Sequence, residues 1–150
     1  FACHGLFFPD KPLDSGLVLH GERRNSAPLN AANPGGMDVF SVHDIFNVRL
    51  KPSLVFLSAC DAGLGRISGG DEIIGLSRGL FVAGAPSIVT TLWAVADEPS
   101  VELIRAFYAN WLDKGLSKAQ ALRRAKLHLL RHGYPQPKYW APFVLLGGSG

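Results

Sequence analysis

The chain has 150 residues, the size of one compact domain, and its 47% hydrophobic content excludes a disordered protein. Charged residues make up only 18%, against roughly 25% in an average soluble protein. That deficit points to elements buried on both faces, or to surface covered by parts of a larger molecule. The net charge is +3 and there are two cysteines, too few for a disulfide framework in a domain this large. No run approaches about 18 apolar residues, which excludes a membrane-spanning helix.

The first residue is Phe1, late in an apolar run, so the chain reads as a fragment whose N-terminal part is missing. "FACHG" is extended and delivers His4. "SGLVLHG" (Ser15–Gly21) reads as a short strand bounded by glycines. "ERRNSAPLNAANPGG" lacks periodicity and predicts a surface loop over about 22–37. "FSVHDIFNVRL" predicts a short helix capped by Ser41, with Val42, Ile45 and Phe46 on one apolar face. "PSLVFLSAC" does not alternate, as expected of a central strand covered on both sides, and it ends at Cys60.

"GDEIIGLSRGLFVAGA" predicts a helix capped by Asp71, with Ile73, Ile74, Ser77, Leu80 and Phe81 as its stripe and Gly84 at its end. "PSIVTTLWAV" is a β-branched strand. "DEPSVELIRAFYANWLDKG" predicts a helix from Asp97 to Gly115 with a stripe of Ile104, Phe107, Tyr108 and Trp111. Ser117 and Gln120 form a capping-box pair for a helix running to about His132. "YWAPFVLLGG" is a last strand, which Pro142 assigns to an edge or a break.

Strands therefore alternate with helices, which predicts an α/β sandwich with a mostly parallel sheet and helices on both faces. Sites in such sheets gather beyond the carboxyl ends of the strands. Both His4 and Cys60 fall at such ends. A thiol is a nucleophile only as thiolate, and a neighbouring imidazole can take its proton or stabilise its charge. Small residues surround Cys60: Ser58, Ala59, Ala62, Gly63 and Gly65. The amides of Gly5 and Cys60 are candidate donors to an oxyanion.

Each candidate has a plainer reading. Cys60 reads equally as a buried core thiol, and His4 as a satisfied loop histidine. A Cys3–Cys60 bridge is compatible with the sequence, although a reduced, intracellular protein is the more economical reading. Alternation along the strand sends Cys3 to the face opposite His4. His20, His43, His128 and His132 read as structural. Asp97 reads as a helix N-cap or as part of a site. Basic residues gather between Lys114 and Lys138, among them Arg123, Arg124, Lys126, Arg131 and Lys138. They read as a solvated helix face or as a docking surface for an acidic partner or nucleic acid. No zinc spacing or RNA-binding signature supports nucleic acid. No carboxylate cluster has metal-loop spacing, so neither metal nor cofactor is expected. The absence of G-x-S-x-G and C-x-x-C ranks an α/β-hydrolase-like or redox protein far below a cysteine hydrolase.

The segments "FACHGLF", "PLDSGLVLHG", "LVFLSACDAGLGRISGGDEIIGLSRGLFVAGAPSIVTTLWAVADEPS", "FYANWLDKGLSKAQALRRAK" and "YWAPFVLLG", in that order and spacing, resemble the C-terminal part of a CHAT domain. CHAT domains are caspase-like cysteine peptidase modules related to caspases and separase, found in bacterial and some eukaryotic proteins. The resemblance implies a caspase-like three-layer α/β/α sandwich, partial here because strand–helix units before the histidine strand are absent. Such a fragment is expected to expose a sheet edge and to self-associate. The resemblance makes Cys60 the nucleophile, His4 its partner, and Gly5 and Cys60 the oxyanion amides. It brings Asp97 into an acidic pocket for a basic residue before the cleaved bond. Asp71 and Glu72 are further candidates for the pocket's edge, although capping accounts for Asp71. The expected activity is endopeptidase cleavage of a protein or peptide substrate. Upstream tetratricopeptide-like repeats or a regulatory protein are the expected controls. A latent or non-catalytic scaffold is the alternative. A cytoplasmic, bacterial protein is expected, acting at no membrane and not directly on nucleic acid.

Overall fold

The computed structural model describes residues 2–6, 8, 10–19, 38–61 and 71–150. Within these, the side chains of residues 2, 4, 38, 59–61 and 71–74 lie outside the description. The loop expected over 22–37 lies outside the described residues, as does His20.

Six strands are described: β1 (Ala2–Leu6), β2 (Gly16–Leu19), β3 (Asp38–Ser41), β4 (Val55–Asp61), β5 (Ser87–Thr91) and β6 (Phe143–Gly147). They form a sheet in the order β3–β2–β1–β4–β5–β6. Only the central strands β1, β4 and β5 run parallel. The pairs β1–β2, β2–β3 and β5–β6 are antiparallel. A mixed sheet thus replaces the mostly parallel one expected. The cause is local for β1 and β2: only a one-turn 3-10 helix, Pro12–Asp14, separates them, too short for a parallel crossover, so β2 folds back on β1. β2 pairs with β1 on the side away from β4, so β1 is no edge of the described sheet. β6 is an edge strand, as Pro142 just before it requires, since proline cannot donate to a ladder.

Alternation along β4 and β5 divides the core in two. Val55, Leu57 and Ile88 join Val42 and Ile45 of α1 (Val42–Phe46) and Leu76 and Leu80 of α2 (Asp71–Val82). Phe56 and Val89 join Leu103 and Phe107 of α3 (Asp97–Tyr108) and Ala121, Leu122, Ala125 and Leu129 of α4 (Lys118–Arg131). Helices therefore cover both faces, which explains why β4 reads as an unbroken apolar run. Phe56 meets Phe107 edge to face at 5.6 Å, and Phe143 of the edge strand lies 6.3 Å from Phe56. Burying each such ring stabilises the fold by ~1.5–3 kcal/mol.

The helix starts follow the capping chemistry. Ser41 caps α1 reciprocally with Asp44, and Ser117 caps α4 with Gln120. Phe46 and Phe81, expected on buried stripes, are 42% and 38% exposed, while Leu76 is buried. Adjacent helical side chains point about 100° apart, so with Ile45 turned into the core Phe46 faces outward. α3 stops at Tyr108 and widens into a π-helical turn, Ala109–Asp113, before Gly115. There the buried Asn110 donates from Nδ2 to Ala106 O at 2.6 Å and accepts from Lys114 Nζ at 3.3 Å. Pro137–Trp140 forms a short helix, α5, in place of the start of the last expected strand.

Gly84 ends α2 with φ +109°, and a Cβ there would meet Leu50 O at 2.6 Å. Gly84→Ala should lower stability by about 2 kcal/mol in a denaturant titration. Thr91 Oγ1 is buried with no hydrogen-bond partner among the described residues. Thr91→Val should therefore raise stability by about 1 kcal/mol, because it removes an unpaired buried hydroxyl at nearly constant shape.

Candidate active site

The parallel ladder between β1 and β4 pairs Ala2 with Ser58, Cys3 with Ala59, His4 with Cys60, and Gly5 with Asp61. His4 and Cys60 therefore occupy one row of neighbouring strands, whose backbones lie ~4.8 Å apart. The row sits at the carboxyl ends of both strands. β5 pairs with β4 only from Val55↔Ile88 to Leu57↔Thr90 and ends at Thr91. Cys60 thus stands beyond the last residue of β5. Gly5 is buried and pairs with Leu17 on its other side.

The same rim carries the segment that follows β5. Leu92 N donates to Pro142 O at 3.0 Å, and the chain then leaves the sheet. Leu92 and Trp93 are 48% and 47% exposed. In the sequence "PSIVTTLWAV" they belong to a strand, and that reading hid them as surface residues of the rim. The strand stops at Thr91 because β6, its partner, begins at Phe143 and is preceded by Pro142.

Asp97 is the first residue of α3 and is exposed. The N-cap is Ala96, which has no capping side chain, so the capping reading of Asp97 is corrected. Among the described residues the Asp97 carboxylate has no hydrogen-bond partner, and it favours the helix N-terminus through the dipole alone. Asp71 and Glu72 open α2, but their side chains lie outside the description, and with them the capping expected of Asp71.

Cys3 packs against the core cluster under α1 and α2 and is half-buried, on the core side that alternation predicted for it. Burial pushes its thiol pKa up, which disfavours the thiolate. Other histidines hold helices in place. His128 Nε2 meets Glu102 Oε1 at 2.6 Å, tying α4 to α3, and His132 Nδ1 lies 2.8 Å from His128 O. Among the described residues no group of His, Cys, Asp or Glu could hold a metal ion, and no helix is long and apolar enough to cross a membrane.

A helix-covered sheet whose parallel strands present a cysteine and a histidine position in one row defines an α/β domain with a candidate site at the strand ends. The family model of the CHAT domain matches residues 1–148, and the chain belongs to that caspase-like family. It is similar to tetratricopeptide repeat protein 28 of Mus musculus, 32% identical over 107 residues, and to the Homo sapiens protein of the same name, 31% identical over 107 residues. Each match covers 71% of this chain and 4% of the relative.

The raised thiol pKa of Cys3 sets a reactivity test. In a Cys60→Ala variant, Cys3 should alkylate with iodoacetamide more slowly than free cysteine at pH 7.5. Its rate should climb as pH rises, because the thiolate fraction grows toward the elevated pKa. A rate equal to that of free cysteine would contradict the burial argument.

Proposed function

We propose that the chain is the catalytic portion of a caspase-like cysteine endopeptidase, with the three-layer sandwich of that family. The observation that carries the reading is the register of His4 opposite Cys60 at the carboxyl ends of two parallel strands. Family membership supports it independently. Cys60 attacks the scissile carbonyl carbon as a thiolate, and the oxyanion that forms is held by the amides of Gly5 and Cys60. The C–N bond breaks to leave a thioester, and His4 gives its proton to the departing amine. Water then attacks the thioester while His4 takes its proton, and the thiol is regenerated.

Asp97 pairs in this reading with an Arg or Lys side chain before the cleaved bond. What supports that role is its place at the rim, its exposure and its lack of a hydrogen-bond partner among the described residues. Asp71 and Glu72 complete the acidic edge. Reducing conditions, as in a cytoplasm, suit a nucleophile that must stay a thiol. The two relatives bear a tetratricopeptide repeat name, which supports control of this site by helical repeats or a regulatory protein. A folded scaffold that never engages substrate is the competing outcome of the test.

A thiol-reactive peptide probe bearing arginine should label the full chain at Cys60, and Cys60→Ala should abolish the labelling. Asp97→Ala should slow labelling by the arginine probe about ten- to a hundred-fold relative to a norleucine probe, the range expected for loss of a charge-assisted hydrogen bond. Labelling that survives Cys60→Ala removes the catalytic assignment. No labelling in the complete chain, with or without candidate partners, favours the scaffold.

A further inference from the structure

Two of the basic residues of the last third of the chain, Arg123 and Lys126, lie beside the edge strand β6. Between residues 114 and 138 the sequence contains no Asp or Glu. One face of α4 and the outer side of β6 enclose a groove of about 550 Å³. Leu122, Leu127, Trp140 and Leu145 give it an apolar floor, Arg123 and Lys126 line it as well, and no carboxylate does. Lys126 is half-buried, and burial pushes its ammonium pKa down. No ion pair reaches it among the described residues.

β6 contributes a second, independent feature. It is the last strand in the sheet. Pro142 O accepts from Leu92 N, so residue 142 turns its backbone toward β5. Backbone groups alternate along a strand. The amide and carbonyl groups of Leu145 therefore point away from β5, and among the described residues no backbone bond meets them. Phe143, which points the same way, is fully buried, so the accessible edge begins at Leu145. An unpaired edge next to an apolar groove can accept an added strand.

We propose that β6 and the α4 groove bind an extended acidic–apolar peptide segment of a partner protein. The segment pairs with the β6 edge, places alternate apolar side chains on Leu122, Leu127 and Leu145, and sets its carboxylates against Arg123 and Lys126. A second copy of the chain fits less well. A two-fold contact through this edge brings the two Arg123–Lys126 pairs towards each other, and like charges oppose it. Nucleic acid fits less well because only one aromatic ring, Trp140, and two cations line the groove, short of the successive stacking platforms and charged track a single strand needs. The groove lies along the lateral edge of the sheet, so the proposal is independent of catalysis at Cys60.

The test is fluorescence anisotropy of the full chain with a labelled, end-blocked decapeptide of alternating Val and Glu. Saturable binding is expected. Arg123→Glu with Lys126→Glu, in protein shown by circular dichroism to be folded, should weaken it about ten-fold or more. Two further probes need no protein variant. A Val/Lys decapeptide, and a Val/Glu decapeptide N-methylated at alternate amides, should each bind at least about ten-fold more weakly. Equal binding of the methylated peptide overturns strand addition, and equal binding of the Val/Lys peptide overturns the charge assignment. A dimer in sedimentation velocity that excludes the peptide gives the edge to a second copy. Displacement of the peptide by oligo-dT at lower concentration gives it to nucleic acid. Either result overturns the proposal.

Discussion

The arrangement depends on the register between β1 and β4. A slip of one residue in a pleated sheet moves every side chain of that strand to the other face. Such a slip would send Cys3 out of the core cluster and break the row that His4 shares with Cys60. β4 is held against that movement from two directions. Val55 and Leu57 are buried under α1 and α2, and Phe56 is buried beneath α3 against Phe107 and Phe143. The position of one residue at the rim is thus set by packing several residues earlier in the same strand.

Much of this was legible because it rests on local chemistry. Ser41 with Asp44, and Ser117 with Gln120, announce their helices through side chains that satisfy free backbone amides. Pro142 announces an edge strand because it lacks an amide to share. The unalternating "LVFL" announces a strand covered on both sides. In each case the signal and its cause lie within a few residues of each other.

What was not legible depends on distant partners. β3 (Asp38–Ser41) exists because β2 offers it an edge, and Val39 and Phe40 alone give too short a pattern to read. Phe46 and Phe81 fit helical stripes yet stay exposed, since Ile45 and Leu80, one position earlier, take the buried face. Leu92 and Trp93 look like strand and lie on the rim, because the end of β5 is decided by β6, over fifty residues later. At the site, the positions of His4 and Cys60 could be read from apolar runs ending in small residues. The solvent-facing place of Asp97 could not, because capping and substrate contact favour the same residue type at a helix start.

The segment between Thr91 and Asp97 has a further consequence. Beyond the Leu92–Pro142 bond it forms no part of the β5–β6 ladder, and within it Val95 packs against a core cluster while Leu92, Trp93 and Ala96 do not. Descendants of this chain could therefore recolour Leu92, Trp93 and Ala96 at small energetic penalty, so long as Val95 keeps its place against the core. Evolution is free there to change the surface of the rim while leaving the architecture intact.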